Sequence, residues 1–385
     1  MKLLKLVIKN TTRHKLRTSL TVLGLAIAVM AFSVIRTSID AWYAGAAASS
    51  PNRLVTINKV SLMFPVPMAY KEKIEKVDGI TGLTWAQWFG AIYIDKKNFF
   101  AQFAVDPETY FKLYPEFVVP PDQFQNFLSQ RNSVIVGRKL ADRFGWSIGD
   151  QVRLVGTFFP GNWDFNIVGI YTGAKLGTDE TQFFLHYKYL DERLKAEMPS
   201  SSGQIGSFII QIGDPSRAAE ISDNIDKLFV NSIAETKTQT EEAFQLSFVS
   251  MAGSIVAGLK AVSILVIGII LLVLANTMAM TARERVGEYA MMKSLGFTGK
   301  HIIGLIFGES IFISILGGIV GIGLTYPIVN LVRQGLSDFF PIFNLDIVTL
   351  IAGFGASVIV GFIAAIFPAI KAVRTPIIEG LRIID

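Results

Sequence analysis

The chain has 385 residues, 51% of them hydrophobic and 17% charged, with a mean hydropathy of +0.45. That composition excludes an intrinsically disordered chain. The 36 basic and 31 acidic side chains leave a net charge of +5, and the absence of cysteine excludes disulfides, thiolate metal ligands and a cysteine nucleophile.

Residues 1–18 are basic. At 100° per residue, Lys2, Lys5, Lys9 and Arg13 share one helical face, and Leu3, Leu4, Val7 and Ile8 share the opposite one. The pattern predicts a short amphipathic helix on the inner membrane surface. Residues 19–40 form the first apolar segment, close to the ~20 residues that cross a hydrocarbon core. Basic residues precede it and Ala46-Ala47-Ala48 follows it, as in a cleavable signal peptide. The run is as long as a full span and the small residues lie well beyond it, so the expectation is a retained anchor.

Residues 41–250 are mostly polar and read as a mixed α/β domain with stalk segments at its ends. Strands are predicted over 53–58, 91–95, 133–136, 151–155, 166–170 and 207–212, where short β-rich runs lie near turn residues. Helices are predicted over 69–77, 138–144, 187–197 and 216–231. A hairpin tip is expected at 157–164, and a helix over 241–257 runs on into the next span. The order of elements predicts two α/β lobes around a β-rich middle. Of the aromatics Trp85, Trp88, Phe89, Phe99, Phe100 and Phe103, most are expected in the core.

Three further spans are predicted over 251–282, 302–332 and 347–370, separated by loops 283–301 and 333–346 and followed by a tail, 371–385. The expected fold is therefore an α-helical integral membrane protein. It has four transmembrane helices in a 1 + 3 arrangement, with a large mixed α/β extracytoplasmic domain between helices 1 and 2. Charge sets the orientation. The N-terminal segment, the 283–301 loop and the tail hold thirteen basic and four acidic residues. Residues 41–250 hold twenty basic and twenty-three acidic ones. The positive-inside rule places both termini and the 283–301 loop in the cytoplasm. The net charge thus belongs to the inner membrane face, where anionic lipid is the simple partner, and is no argument for nucleic acid.

Polar residues within the spans invite assignment. Glu309 stands near the start of the third span, where a carboxyl is costly unless paired or near water; the expected counterpart is Arg or Lys at the cytoplasmic mouth or a group of the dimer partner, in a structural pairing or a coupling role. Asn276 and Thr277 are expected to make interhelical hydrogen bonds. Gly317 and Gly321 have the small-xxx-small spacing that allows close helix packing, within one subunit or between two. Catalytic patterns are missing. There is no GxxxxGK[ST] phosphate loop, no HExxH and no GxSxG. His14, His186 and His301 are far apart, and carboxylate pairs such as Asp179/Glu180 read as solvated surface. The chain is expected to carry no catalytic, metal or cofactor residues.

The 283–301 loop carries the informative motif. Its middle reads as a helix that stops at Gly296, with Tyr289, Met291, Met292 and Leu295 giving it an apolar side. Such a helix suits a groove in a soluble partner or a lipid surface. Arg283-Glu284-Arg285, Glu288 and Lys293-Ser294-Leu295-Gly296 resemble the signature of FtsX/MacB-type (type VII) ABC transporter permeases. Gly287-Glu288-Tyr289 departs from it, standing where many members have Arg-Glu-Ile. Pro368-Ala369-Ile370-Lys371-Ala372-Val373-Arg374 with Pro376-Ile377-Ile378-Glu379-Gly380-Leu381-Arg382 resembles the family's closing motif, and Arg13-His14-Lys15-Leu16-Arg17-Thr18 with Leu23-Gly24 its opening. Val136-Gly137-Arg138-Lys139-Leu140-Ala141, Gly149-Asp150 and Ile167-Val168-Gly169-Ile170 are similar to a MacB-like periplasmic core domain.

The resemblance implies a bacterial inner-membrane, multi-pass permease subunit that dimerises and binds a cytoplasmic ABC ATPase, which holds the ATP and Mg. Arg283, Glu284, Arg285, Glu288, Met292, Lys293, Leu295 and Gly296 would form the coupling helix. ATP hydrolysis would move the outer domain without a conduit through the membrane (mechanotransmission), for export of a hydrophobic or amphipathic substrate. A periplasmic adaptor and an outer-membrane channel are possible further partners. Activation of a cell-wall hydrolase and release of lipoproteins are the alternative roles. The charge asymmetry yields a direct expectation: Gly161→Cys in this cysteine-free chain is labelled by a membrane-impermeant maleimide from outside intact spheroplasts. Labelling only after the cytoplasm is opened would reverse the topology.

Overall fold

The structure, a computed structural model, describes residues 6–7, 10–11, 13–175, 178–336 and 343–378. Lys2, Lys5 and Lys9 of the expected N-terminal helix lie outside these residues, as do Glu379, Gly380, Leu381 and Arg382 of the closing motif. The chain divides into two compact units. One is built on residues up to 41, on 252–336 and on 343 onward; the other is built on 42–251.

The first unit is helical. Helices Lys15–Ala48, Gly253–Glu284, Gly299–Leu336 and Ile347–Arg374 are each long and apolar enough to cross a membrane. At 1.5 Å per residue they run about 42–57 Å, more than the ~30 Å hydrocarbon core. Between apolar helices in lipid, close backbone approach and hydrogen bonds replace the hydrophobic drive. The third helix meets the fourth in this way. Ser310 Oγ donates to the Gly361 carbonyl at 2.6 Å, Ser357 Oγ donates to the Ser314 carbonyl at 3.2 Å, and Gly318 lies against Ser357 and Phe354. The first helix meets the fourth through a hydrogen bond from Thr349 Oγ1 to Asp40 at 3.2 Å.

The second unit is an α/β domain. Its strands are β1 (Arg53–Asn58), β2 (Val66–Pro67), β3 (Ile80–Trp88), β4 (Ala91–Ile92), β5 (Gln102–Val105), β6 (Phe117–Val118) and β7 (Ser133–Gly137). They continue as β8 (Gln151–Gly156), β9 (Gly161–Gly173), β10 (Phe183–His186), β11 (Gln204–Ile205), β12 (Ser207–Ile212) and β13 (Thr236–Thr240). Eleven of them make one sheet in the order β13-β1-β12-β3-β5-β10-β7-β9-β8-β4, with β6 paired to β9; β11 and β2 pair separately. Two pairings, β10–β5 and β7–β9, are parallel. The two lobes expected from the order of elements are thus one continuous sheet.

Both faces of its centre are buried, which is why β7 and β10 read as unbroken apolar runs rather than alternating ones. Val134, Val136, Phe183 and Leu185 point into one core, with helices Arg138–Phe144 and Tyr187–Glu197 packed there. Ile135 and Phe184 point into the other, beside Tyr110, Leu113 and Phe127 of helices Pro107–Leu113 and Pro121–Ser129. Phe89 and Phe100 are buried as expected, while Trp88 and Phe103 are half-buried and Phe99 is exposed.

Several local expectations are corrected. The strand expected over 91–95 stops at Ile92, and Ile94 adopts φ 59, outside any strand. Of 69–77, only Lys71–Ile74 is α-helical, after a 3-10 turn at Met68–Tyr70. Of 216–231, Ala218–Lys227 is α-helical, and Asn231 reverses the chain at φ 58. The helix expected over 241–257 is two helices, Glu241–Met251 and one starting at Gly253.

An ionic node anchors the roots of the domain. Arg53 opens β1 and is buried. It donates to Glu241 at 2.8 Å, to Glu116 and to the Leu113 carbonyl, and it lies 4.2 Å from the Tyr114 ring centre. Glu241, in the first turn of its helix, also accepts the backbone N–H of Ser50 at 2.9 Å. Burial works against the guanidinium charge, and the two carboxylates more than offset it, so its pKa lies above the ordinary value. Arg53→Met leaves two carboxylates without their counter-ion, at an expected cost of about 3–5 kcal/mol. Denaturant unfolding of the purified chain, followed by tryptophan fluorescence, measures it; a midpoint unchanged from wild type would remove the node from the account of stability.

Candidate functional site

The charged cluster forms where the second long helix ends. Gly253–Glu284 stops at Arg285, whose φ of −107° and ψ of 14° break the helical run, and a second helix occupies Val286–Ser294. Its end is a Schellman motif. Gly296 takes φ +91, its N–H bonds the Lys293 carbonyl at 3.1 Å, and the Phe297 N–H bonds the Met292 carbonyl at 3.0 Å. The expected stop at Gly296 is therefore realised by backbone geometry that favours glycine.

Ion pairs fasten the start of this loop helix and the turn before it. Arg17, in the first turn of Lys15–Ala48, grips Glu284 with two hydrogen bonds of 2.7 Å. Arg13 reaches Glu288. Arg285 is buried; it donates to Glu288 at 2.8 Å and to Glu309 of the third long helix at 3.1 Å, and its guanidinium lies 5.6 Å from the Tyr289 ring centre. Lys293 donates to the carbonyls of Ala372, Val373 and Thr375 at 3.1, 2.9 and 2.8 Å. These lie at the C-terminal end of Ile347–Arg374, where carbonyls lack helical partners and the dipole favours a cation. A cleft of about 20 Å³, room for a single water, lies between Arg13, Arg17, Thr281, Arg285 and Glu309.

Electrostatics follow the same contacts. Burial pushes the Glu288 carboxyl up, but hydrogen bonds from Arg285 and Arg13 outweigh it, and its pKa lies below the ordinary value. A depressed carboxylate contributes stability above its unfolded pKa and loses it as pH falls through the folded one. The fastening therefore holds at neutral pH and weakens only on acidification. Burial pushes the Tyr289 phenol up to about 12, so it stays neutral.

The apolar side expected of the loop helix is in fact divided. Tyr289 and Ala290 are buried and Met292 packs beside them against the helical core. Met291, Leu295 and Phe297 face outward, 54%, 73% and 42% exposed, with Arg283 also exposed. Spacings of three and four separate the faces: 289 and 292 share the inner one, 291 and 295 the outer. Of the residues singled out from sequence, Glu284, Arg285, Glu288, Lys293 and Glu309 hold the helix in place, while Arg283 and Leu295 are free to meet another surface.

Gly317 and Gly321 receive the first long helix of the same chain: a Cβ at Gly317 would come within 2.7 Å of Leu25 Cβ, and one at Gly321 within 2.8 Å of Val29 Cβ. Thr277 donates back to the Val273 carbonyl at 2.9 Å and makes no interhelical bond among the described residues, because its own helix already takes the hydroxyl proton. Asn276 faces outward and makes no hydrogen bond within the described residues. The roles of Arg13 and Arg17 were missed. Their spacing of four, matching that of Glu284 and Glu288, is the signal that would have found them. Among the described residues no group of three potential metal ligands occurs.

Two family models match the chain: the MacB-like periplasmic core domain over residues 18–228 and the FtsX-like permease C-terminal region over residues 260–377. An uncharacterized ABC transporter permease of Mycobacterium tuberculosis is 25% identical over 262 residues, covering 66% of this chain and 29% of the relative. The pyoverdine export ATP-binding/permease protein PvdT of Pseudomonas fluorescens is 23% identical over 409 aligned positions, 96% of this chain and 57% of the relative. The macrolide export ATP-binding/permease protein MacB of Psychrobacter cryohalolentis is 24% identical over 277 positions, 67% and 38%. The chain thus spans between 29% and 57% of the length of these relatives. It belongs to the FtsX/MacB-type ABC transporter permeases.

The Arg285–Glu309 pair makes a testable claim of its own. Arg285→Met strands a carboxylate inside the helical unit, at an expected cost of about 3–5 kcal/mol. The exchange of both residues, Arg285→Glu with Glu309→Arg, should recover a large part of that loss. Thermal unfolding in detergent measures both; a double exchange no better than the single change would show that the two groups do not act as a pair.

Proposed function

We propose that this permease couples ATP hydrolysis by a separate cytoplasmic ATPase to movement of its α/β domain. The transport class is export of a hydrophobic or amphipathic substrate, in keeping with the export names of the two Pseudomonas and Psychrobacter relatives. The loop helix carries the reading. Salt bridges of Glu284 and Arg285 at its start and the Lys293 contacts near its end fasten it to the first, third and fourth long helices, while Met291, Leu295 and Phe297 stand exposed on its outer side. A force applied to that outer side passes into the long helices instead of bending a loop. By the charge asymmetry this side faces the cytoplasm, where an ATPase groove would receive the apolar residues.

The other parts follow from the same reading. The ATPase supplies ATP and Mg, a second permease copy completes the assembly, and a periplasmic adaptor and outer-membrane channel continue the export route. Both chain ends lie in the cytoplasm and residues 41–250 lie outside an inner membrane. Helix Lys15–Ala48, about 51 Å long, and helix Glu241–Met251 lead to and from the α/β domain and would carry the motion.

Leu295→Asp is the direct test. It places a charge in an apolar contact, so its cost falls on docking. Because Leu295 is exposed, folding and insertion are spared, unlike Met292→Asp or Ala290→Pro, which strike packed positions. The expected result is at least a tenfold loss of ATPase co-purification and of permease-dependent ATP turnover, with thermal stability unchanged. Wild-type complex formation and transport by both Leu295→Asp and Met291→Asp would overturn the coupling role.

A further inference from the structure

Glu309 has an oxygen that the protein leaves unused. The carboxylate is buried in the third long helix, and its Oε2 accepts from Arg285 at 3.1 Å. Its Oε1 accepts no hydrogen bond among the described residues. The water-sized cleft between the first and second long helices ends on this carboxyl, running from exposed Arg13 and His14 to buried Glu309 and Ile313. Thr21, Thr277 and Thr281 line it, and each donates its hydroxyl proton to a carbonyl of its own helix. Their oxygens remain as acceptors, so a water in the cleft has a place for one proton while it offers the other to Glu309.

The two carboxylates hold Arg285 in different ways. Glu288 lies three residues on, within the loop helix, and accepts from Nε at 2.8 Å. Glu309 belongs to another helix, 24 positions on, and accepts from Nη1. A shift of the loop helix against the third long helix therefore keeps the first pair, which travels as a unit, and breaks the second. The other charged groups around the cleft do not replace Arg285. Arg17 is bonded twice to Glu284, Arg13 reaches Glu288, His14 stands at the mouth, and the Tyr289 phenol stays neutral. A carboxylate left without a counter-ion among apolar helices is costly, and the neutral acid is its alternative.

We propose that Glu309 is a proton-binding site of the permease, filled when the loop helix moves. With Arg285 seated, the carboxylate is ionised. When the loop helix carries Arg285 away, Oε1 takes one proton from a hydronium ion in the water of the cleft; an O–H bond forms and a neutral water is left. Return of Arg285 reverses the step and sends the proton back through the same mouth, so no proton crosses the membrane. The displaced state thus binds one proton more than the seated state. Acid favours the displaced state and alkali the seated one. The inference rests on the proposed coupling role of the loop helix and names the ion that accompanies its movement.

Two measurements separate the proton site from the coupling role. In the first, the full-length chain alone is placed in nanodiscs and its neutral-acid carbonyl band is recorded by infrared difference spectroscopy. Arg285→Met imitates the displaced state, and Arg285→Gln replaces it if that variant does not fold. The expected result at neutral pH is a band from one protonated carboxyl in the Arg285 variant, shifted by deuterated water. Wild type and the same variant combined with Glu309→Gln should lack it. An Arg285 variant with no band beyond that of the double variant would overturn the proton site, whatever the ATPase does. In the second, permease-dependent ATP turnover of the complex with its ATPase is followed against pH. Wild type is expected to show a one-proton step, with a limiting slope of about tenfold per pH unit. Glu309→Gln should lose the step, and Glu309→Asp, which keeps a carboxyl, should retain it. A wild-type step in Glu309→Gln would overturn the link between proton and movement. Failure of the ATPase to associate with the wild-type chain would overturn the coupling role and that link with it, while the first measurement still decides the proton site.

Discussion

A guanidinium held between two carboxylates in the interior of the helical unit is the constraint on which the rest of that unit turns. Glu309 is set into an apolar helix, where an isolated carboxylate is costly. Arg285 satisfies it only because the second long helix breaks at that residue and turns its side chain inward. Once Arg285 is committed, its second contact with Glu288 and its stacking over Tyr289 fix which way the following helix faces. Tyr289 and Met292 must then point in and Met291 and Leu295 out. The orientation of the exposed surface is therefore set by an interaction buried beneath it.

The α/β domain uses the same device. Arg53 is also buried between two carboxylates, also beside an aromatic ring, and its partner Glu241 opens a helix. Both arginines join segments distant in sequence: Arg53 meets Glu241 across 188 positions, and Arg285 meets Glu309 across 24. Arginine suits the role because its planar fork can serve two acceptors at once without losing charge. Buried ion pairs stabilise little relative to apolar packing, but they tolerate misalignment poorly.

What was legible in the sequence follows from which signals are local. Arg138–Phe144 and Tyr187–Glu197 were read to the residue, since periodicity and the following Gly145 or Met198 mark their limits. The four long apolar segments were equally plain. Strands β3, β5, β10 and β13 were not: β10 is four residues long, buried on both faces, and defined by partners 47–81 positions away. The continuity of the sheet depends on β3, β5 and β10, which join β12 to β7, so one sheet was mistaken for two lobes. At the site, Glu309 and the Gly296 stop were legible because an intramembrane carboxyl and a helix-ending glycine have few uses. The division of the loop helix into two faces was not, because methionines at 291 and 292 look alike until the neighbouring helices choose between them.

The edge of the sheet carries a consequence for biogenesis. β1 pairs with β12 and β13, and Thr56 and Thr238 share a buried hydrogen bond across 182 positions. During synthesis β1 therefore emerges long before either partner exists, and its apolar run Leu54–Val55–Thr56–Ile57 stays unpaired while some 150 further residues are made. Contacts of such range form late and leave an exposed strand open to wrong pairing. The last strand to arrive closes the sheet and, one residue later, Glu241 reaches Arg53. Completion of the sheet and of the Arg53 node thus come within one residue of each other, and a chain interrupted before β13 would possess neither.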